Sequence, residues 1–562
     1  MILDTPKIQT LRSFEERVVH VNQLQERILA ANCKETFVPA ARGVGKTTVL
    51  SIYHSNCVHS MPRSLRLQLG PSYRKMLTDL VPNLTVQWEK LGYIRNVHYV
   101  IGNSDIPKKL KWDLPYYAPE EGYRQFLIHW YTGAGYRIGS ADRKVTLNGL
   151  NLDGVDADEL KLIPEDIFNE IIKVNRANPD KPWSDLPEHN SIIGFTDKYW
   201  LRKNSDWVMK KKALANMKAV NDILILKTQL DKLLVVDGDK VFYTDEKLAQ
   251  QLLILANRIR NNTVAFFEAP CYVNIPALRP AYILQMKRNM GENEFRASML
   301  NHDIIRNDTK EYFYPLLSEK EHGYIADNFE KLDNLEYNFD ALKQSDCSFD
   351  EDLDPLLPIE ISCDWGGNIS SLVVAQEKPK CLNIINSLFE KGGGNILQLA
   401  KRFNDYYRRH KIRYLKFYYD PSGNNTMPNS AETVSEEFAR HLRSAGWNVE
   451  MMHIGLHNNP RYELRYYLWI EILKNRKQRD PKYPLFFMNK NNCKEVFISM
   501  LDAGLKKWEK KLKKDKSSEK PGSGVLPEHA TNFSDAVDYI VMHKYSHLLD
   551  TDSGVPSTLG DF

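Results

Sequence analysis

The chain has 562 residues, with 76 Lys+Arg against 72 Asp+Glu and a formal net charge of +4. With 26% charged residues, 42% from the AVILMFWYC set and 11% aromatics, it has the proportions of a folded soluble protein, which excludes wholesale disorder. There is no run of about 18 apolar residues to span a membrane, no apolar core of a secretory signal near the start, and the seven cysteines include no CxxC pair, which argues for a reducing compartment and against a zinc ribbon. Near-neutral charge leaves nucleic-acid binding open, because local basic patches decide it.

At roughly 150 residues per domain, about three or four domains or two large ones are expected. Up to about residue 330, short apolar runs alternate with helical stretches, the pattern of an α/β domain. VNQLQERIL (21–29) reads as an amphipathic helix whose Gln23 and Gln25 are either hydrogen-bonders to an adenine edge or plain surface residues. ETFVPA (35–40) reads as a strand that runs into AARGVGKTT (40–48), of the form A-x-x-G-x-G-K-T, with Ala40 where G-x-x-x-x-G-K-[ST] has its first glycine. Gly43 and Gly45 let the backbone wrap a phosphate. Lys46 supplies charge to its outer oxygens, and Thr47 offers a hydroxyl to Mg²⁺ at the start of a helix. Arg42, inside the loop, either reaches a γ-phosphate or caps the turn.

RLQLGPS (66–72) and SIIGFTD (191–197) read as two further buried strands, the second ending in Thr196, placed to sense a γ-phosphate or its loss. A phosphate loop needs an acidic strand end nearby. GLNLDGVDADEL (149–160) supplies Asp158 to support Mg²⁺ and Glu159 to orient and deprotonate water, although Asp153, Gly154 and Asp156 interrupt what should be an apolar strand. The acidic stretch 326–358 ends in proline and reads as an inter-domain linker.

Beyond it, IEISCDW (359–365), SSLVVAQ (370–376) and CLNIINSLF (381–389) read as three strands joined by turns. A helix (about 395–410), a strand (413–420), a helix (about 431–444) and a strand (448–454) follow, the order of a ribonuclease-H-like core. Asp364 and Asp420 lie at the ends of the first and fourth strands, and Asp535 lies at the start of a late helix, with Asp538 one turn on as a substitute. Three carboxylates can crowd together only around cations, so the cluster predicts Mg²⁺ or Mn²⁺, as a pair about 3.5–4 Å apart, suited to in-line attack of water on a phosphodiester. Lysines 506, 507, 510, 511, 513, 514 and 516 surround Trp508 in a basic run that reads either as a phosphate-backbone contact or as a solvated face.

In this linear order the motifs resemble the large terminase subunit of tailed double-stranded DNA bacteriophages. ARGVGKTT matches its arginine-bearing Walker A, VDADEL its Walker B and SIIGFTD its coupling motif. ISCDWGGN, YYDPSGN and NFSDAVDY match the three acidic motifs of its nuclease. The resemblance implies an α/β architecture: a P-loop ATPase of the additional-strand (ASCE) class over 1–330, a linker at 331–358, a ribonuclease-H-like nuclease over 359–548 and a tail at 549–562. Carried over, Lys46 and Thr47 would bind ATP and Mg²⁺, Arg42 would be the Walker A arginine, and Asp158 and Glu159 the Walker B pair, with Asp156 the fallback for Asp158. Thr196 would couple hydrolysis to movement, and Asp364, Asp420 and Asp535 would hold the nuclease metals. The implied partners are double-stranded DNA, a portal protein, a small terminase subunit and further copies in a ring of about five, in the host cytoplasm and transiently on the procapsid, without a membrane. Outside the family, the same residues also suit a transposase or resolvase with an ATPase domain, or an ATP-gated DNA clamp without nuclease activity.

Overall fold

The computed structural model describes residues 19–143, 149–198, 207–237, 240–303, 311–342, 346–392, 395–419, 421–425, 432–453, 461–476, 480–508, 511–520 and 522–549. Asp420 and Lys510 lie outside the described residues, as does all but the first residue of the expected 549–562 tail. The chain forms two compact units, Met1–Asp197 with Trp207–Ala277, and Lys198–Asp206 with Leu278–Phe562. Among the described residues no helix is long and apolar enough to cross a membrane.

The first unit carries strands β1 (Glu35–Pro39), β2 (Leu65–Gly70), β3 (Tyr99–Ile101), β4 (Leu127–Trp130), β5 (Gly135–Ser140), β6 (Gly154–Ala157), β7 (Ser191–Thr196), a separate hairpin of β8 (Leu234–Asp237) and β9 (Lys240–Tyr243), and β10 (Val264–Phe266). Its eight-stranded sheet runs β10-β1-β7-β6-β2-β5-β4-β3. Pairing is parallel from β10 to β5 and antiparallel across β5-β4-β3. β2, β6 and β7 are buried along their whole length, which parallel strands covered on both faces require. Helix α1 (Gln23–Ala31) precedes β1, and helix α2 (Lys46–Ser60) leaves it through the glycine-rich loop.

The polar residues of β6 are satisfied rather than disruptive. Asp156, fully buried, takes Arg66 Nη2 at 2.5 Å and Nε at 3.1 Å, with His54 Nε2 at 3.3 Å. Asp153 accepts the Leu65 N–H at 2.7 Å and the Asn178 amide at 3.0 Å. Gly154 lets the Arg66 guanidinium pass, since a Cβ there would lie 1.9 Å from its Nη1. Asp156 is therefore spent on Arg66 and His54, which removes it as the fallback for Asp158.

The second unit contains β11 (Gly323–Tyr324), β12 (Ile359–Trp365), β13 (Ile369–Lys378), β14 (Cys381–Lys391), β15 (Tyr414–Tyr419), β16 (Asn448–His453) and β17 (Leu485–Asn489), in the sheet order β11-β17-β14-β13-β12-β15-β16. β12, β13 and β14 are antiparallel neighbours, and β15 and β16 add in parallel beside β12. Helices α3 (Ile396–Tyr407) and α4 (Val434–Ser444) cover one face with Leu372 and Val374 of β13, while α5 (Tyr462–Lys474), α6 (Lys494–Asp502) and α7 (Asn532–Tyr545) cover the other with Val373 and Ala375. The alternation along β13 is the two-residue period of a strand packed on both sides. A second hairpin, β18 (Gly504–Trp508) with β19 (Lys511–Asp515), pairs antiparallel ahead of α7.

The acidic stretch expected as a linker lies inside the Leu278–Phe562 segment of this second unit. Its carboxylates have partners remote in sequence. Asp350 accepts from the Tyr406 hydroxyl at 2.7 Å and the Asn492 amide at 3.1 Å, and Asp352 from the Tyr324 hydroxyl at 2.6 Å and the Asn489 amide at 3.0 Å.

Because Asp156 has no water to fall back on, Arg66→Leu should lower the opening free energy of β2 and β6 by about 3–5 kcal/mol, as for other broken buried pairs. Native-state hydrogen exchange at these strands measures it, and a loss below about 1 kcal/mol would mean that His54 alone suffices.

Candidate functional site

Residues 40–45 form the turn between β1 and α2, with Gly43 at φ 79° and Gly45 at φ 83°, a region closed to most side chains. A Cβ on Gly45 would also sit 2.3 Å from Gln25 Nε2. Three carboxamides hold the outer side of the loop. Asn274 Nδ2 donates to Gly43 O at 2.7 Å, Asn22 Nδ2 to Val44 O at 2.9 Å and Gln25 Nε2 to Gly45 O at 2.9 Å. A trans peptide points its N–H opposite to its C=O. Fixing these three carbonyls therefore turns the N–H groups of Val44, Gly45 and Lys46 to the other side, the orientation an anion needs.

Gln25 is thus built into the loop. Its Oε1 accepts the Asn22 N–H at 2.9 Å while its Nε2 holds Gly45, so both ends of the carboxamide are engaged on the loop and its flank. Asn22 and Gln25 together form the capping box of α1, a spacing readable in N-x-x-Q. Gln23, the other adenine candidate, opens the same helix.

Lys46 stands in the first turn of α2, its Nζ donating to Ala40 O at 2.7 Å and Ala41 O at 3.1 Å, and Thr47 follows it. Burial pulls the Lys46 ammonium below the usual lysine range against the attraction of Asp197, Glu159 and Asp158. Asp158 and Glu159 directly follow β6, two strands from β1 across β7. Burial and the neighbouring Glu159 push the Asp158 carboxyl up to about 7. Glu159 has a left-handed backbone, φ 51° and ψ 41°, a strain of about 1–3 kcal/mol held at the strand end.

Thr196 closes β7 and its hydroxyl bonds internally, donating to Asp197 O at 3.1 Å and accepting the Lys161 N–H at 3.3 Å. Asp197 is the residue that sequence reasoning passes over. Its buried carboxylate takes Arg42 Nε at 3.0 Å and the Lys161 ammonium. Burial would raise its carboxyl, but Lys161, Lys46 and Arg42 hold it at about 2. The signal is an acid placed directly after an apolar strand.

In the second unit Asp364 is the penultimate residue of β12, 7% exposed, its Oδ1 accepting from the Tyr539 hydroxyl at 2.8 Å and its Oδ2 from the Asn532 amide at 2.7 Å. Asn532 and Tyr539 flank Asp535 by about one turn on each side of α7, a helix buried nearly all round. Asp364 and Asp535 thereby meet at one end of the sheet, and Lys516 lies within the electrostatic reach of both. β15 ends at Tyr419, one residue before Asp420.

Two lysines of the basic run occupy this place. Lys514 Nζ, fully buried, bridges Asp535 Oδ1 at 2.6 Å and Asp538 Oδ2 at 2.7 Å, and Lys516 Nζ pairs with Asp535 Oδ2 at 2.6 Å. Burial opposes ionisation of Asp535, yet Lys514 and Lys516 hold its carboxyl below the usual range. Asp538 is consumed by Lys514, the Tyr314 hydroxyl at 2.8 Å and the Trp469 indole at 2.7 Å, so it belongs to the core rather than to a metal face. Lys506 and Lys507 pair with Asp515 and Glu311 on the outside of the hairpin.

Among the described residues no group of three His, Cys, Asp or Glu stands ready for a metal. Asp364 and Asp535 suit a hard cation by chemistry, and Lys516 already marks the spot as one that takes positive charge.

No family model matches the chain, and no curated protein matches it. Among solved structures, the large terminase of a thermophilic bacteriophage, in complex with ADP, aligns over 93% of this chain and 98% of its own, at 11% identity and a TM-score of 0.35. The large terminase ATPase domain of Thermus phage P74-26 aligns over 51% of this chain and 94% of its own, at 15% identity and a TM-score of 0.30. The Phi-28 gp11 DNA packaging motor aligns over 76% of this chain and 94% of its own, at 9% identity and a TM-score of 0.20.

If Gln25 clasps the loop, Gln25→Ala should weaken ATP and GTP binding alike, by about five- to thirty-fold for the two hydrogen bonds lost, to Asn22 and Gly45. A loss confined to ATP, in titrations with fluorescent nucleotides, would return Gln25 to the adenine.

Proposed function

We propose that the chain is a phage DNA-packaging motor of the large terminase type, with ATP hydrolysis in the first unit and metal-dependent cutting of double-stranded DNA in the second. One observation carries this reading. A single chain combines a glycine-rich loop, its carbonyls fixed outward and an acid pair at a nearby strand end, with a second sheet that brings Asp364 and Asp535 together.

In the first unit, the inward N–H groups of Val44, Gly45 and Lys46 would cradle the phosphates, Lys46 would exchange Ala40 and Ala41 for outer phosphate oxygens, and Thr47 and Asp158 are the residues that would hold Mg²⁺. Glu159, the strained acid, orients and deprotonates water, and Arg42 stabilises charge on the γ-phosphate. Thr196 and Asp197 report the γ-phosphate to the strand between the two motifs. The placement of β7 between β1 and β6 supports the additional-strand (ASCE) class.

In the second unit, the order β14-β13-β12-β15-β16, with only β13 antiparallel to both its neighbours, supports a ribonuclease-H-like nuclease. Asp364, Asp420 and Asp535 are the residues that would hold Mg²⁺ or Mn²⁺, which supplies activation of water and steadies the leaving oxygen. Tyr539 and Asn532 fix the Asp364 carboxylate so that it meets that cation without reorganising. Family resemblance adds a portal, a small terminase subunit, a ring of about five copies, and action in the host cytoplasm on concatemeric DNA.

The two lysines on Asp535 favour one second reading, an ATP-gated DNA clamp whose acids are purely structural. Incubating the purified chain with linear plasmid and Mn²⁺ separates the two. Lys46→Ala should abolish ATP hydrolysis and leave cleavage intact, whereas Asp364→Ala should abolish cleavage and leave hydrolysis. Unchanged cleavage by Asp364→Ala would remove the nuclease. Loss of both activities in either variant would argue against separable sites.

A further inference from the structure

Lys514 and Lys516 bind the same carboxylate from opposite circumstances. Lys514 has no exposed side-chain surface and is shared with Asp538, itself fully buried. Its removal would strand two carboxylates in a low-dielectric interior. The Lys516 side chain is 39% exposed, holds Asp535 through one oxygen, and lies 3.6 Å from Glu519, its other acidic contact. Water can receive this half-exposed ammonium, but Asp535 is buried, so Lys516 can leave only when another cation takes its place on that carboxylate. Both lysines follow from hairpin geometry. In β19 residues 512 and 514 turn inward while 511 and 513 stay exposed, and Lys516 continues the inward parity just past the strand.

We propose that Lys516 is an exchangeable counter-ion of the nuclease centre: it neutralises Asp535 while no metal is bound, gives that oxygen up when a divalent cation loads, and then turns to a DNA phosphate. This rests on the metal-nuclease reading of Asp364 and Asp535. Without metal, the three carboxylates of Asp364, Asp535 and Asp538 face three cations, Lys514, Arg465 and Lys516; a divalent cation in place of Lys516 brings one positive charge more, which an arriving phosphodiester offsets. A metal on Asp535 Oδ2 would repel the Lys516 ammonium, which stands 2.6 Å from the same oxygen. Lys516 therefore competes with the metal, and metal loading releases a positive side chain at the edge of the site, where a phosphodiester would arrive. Asn368, at the turn between β12 and β13, ties that edge to the Glu519 carbonyl at 3.5 Å, so the segment after the hairpin borders the same site.

The test uses the full chain without nucleotide and reads Mn²⁺ binding by calorimetry and by the free-Mn²⁺ spin resonance signal. Lys516→Gln should bind Mn²⁺ about tenfold or more tightly than the parent chain, because no resident cation has to leave. Lys516→Arg, which keeps the charge, should bind as the parent does. In chelator the thermal midpoint of Lys516→Gln should fall below that of the parent, and Mn²⁺ should raise it by more. With Mn²⁺ saturating, Lys516→Gln should bind non-cleavable duplex DNA more weakly, with a smaller dependence on salt. Equal or weaker Mn²⁺ affinity in Lys516→Gln, while Asp535→Asn abolishes binding, would overturn the counter-ion role and leave the nuclease standing. Absence of Mn²⁺ binding from parent and Lys516→Gln alike, together with normal cleavage by Asp364→Ala, would instead overturn the nuclease reading itself.

Discussion

Carboxylates removed from water must be met by cations or hydrogen-bond donors, and both units are arranged around that demand. Asp156 in the middle of one sheet and Asp538 in the middle of α7 are fully enclosed, and each has a full set of partners. For Asp156 these are Arg66 and His54, and for Asp538 Lys514, Tyr314 and Trp469. Such acids hold elements together and have no capacity left for a ligand. The acids of the candidate sites sit two or three residues away: Asp158 and Glu159 follow Asp156 past the end of β6, and Asp535 precedes Asp538 in the first turn of α7.

Chain direction explains why the strand ends coincide. β1, β7 and β6 are adjacent and parallel, so whatever follows each strand emerges on the same side. The glycine-rich loop follows β1, Asp197 follows β7, and Asp158 with Glu159 follows β6. In the second unit β12 and β15 are parallel neighbours in the same way, and Asp364 lies at the end of the first of them. Sites at the carboxyl ends of parallel strands are a consequence of this geometry, and they explain how residues more than a hundred positions apart share one electrostatic environment.

That geometry also sets what can be read from the sequence. β1, β7 and β12 to β14 are short buried runs bounded by turn residues, and the strand expectations for 35–40, 191–197, 359–365, 370–376 and 381–389 agree with the structure to within a few residues. Residues whose meaning depends on a distant partner are opaque. Asp156 looks like a flaw in an apolar strand because Arg66 lies 90 positions away. The stretch 326–358 looks like a linker because acidic composition is legible while Tyr406, Asn489 and Asn492, which bury its aspartates, are not adjacent in the chain. Lys514 is hidden among neighbours of the same charge. Only the two-residue period that it shares with Leu512 sets it apart.

The two sites share one electrostatic construction. Asp197 lies between Lys161, whose side chain is 9% exposed, and Arg42, whose side chain is 42% exposed. Asp535 lies between Lys514, wholly buried, and Lys516, 39% exposed. In each case a buried carboxylate is clamped by an inner cation that cannot leave without stranding a charge and an outer cation that water can receive. The inner pair keeps the strand end and its neighbour in register with no ligand bound, and the outer cation can change partners. The ligands differ in sign, so the outer cation plays opposite parts. A phosphate would draw Arg42 off Asp197 by attraction, whereas a metal would compete with Lys516 for the same oxygen. Either exchange would alter the charge balance on a residue that belongs to the core.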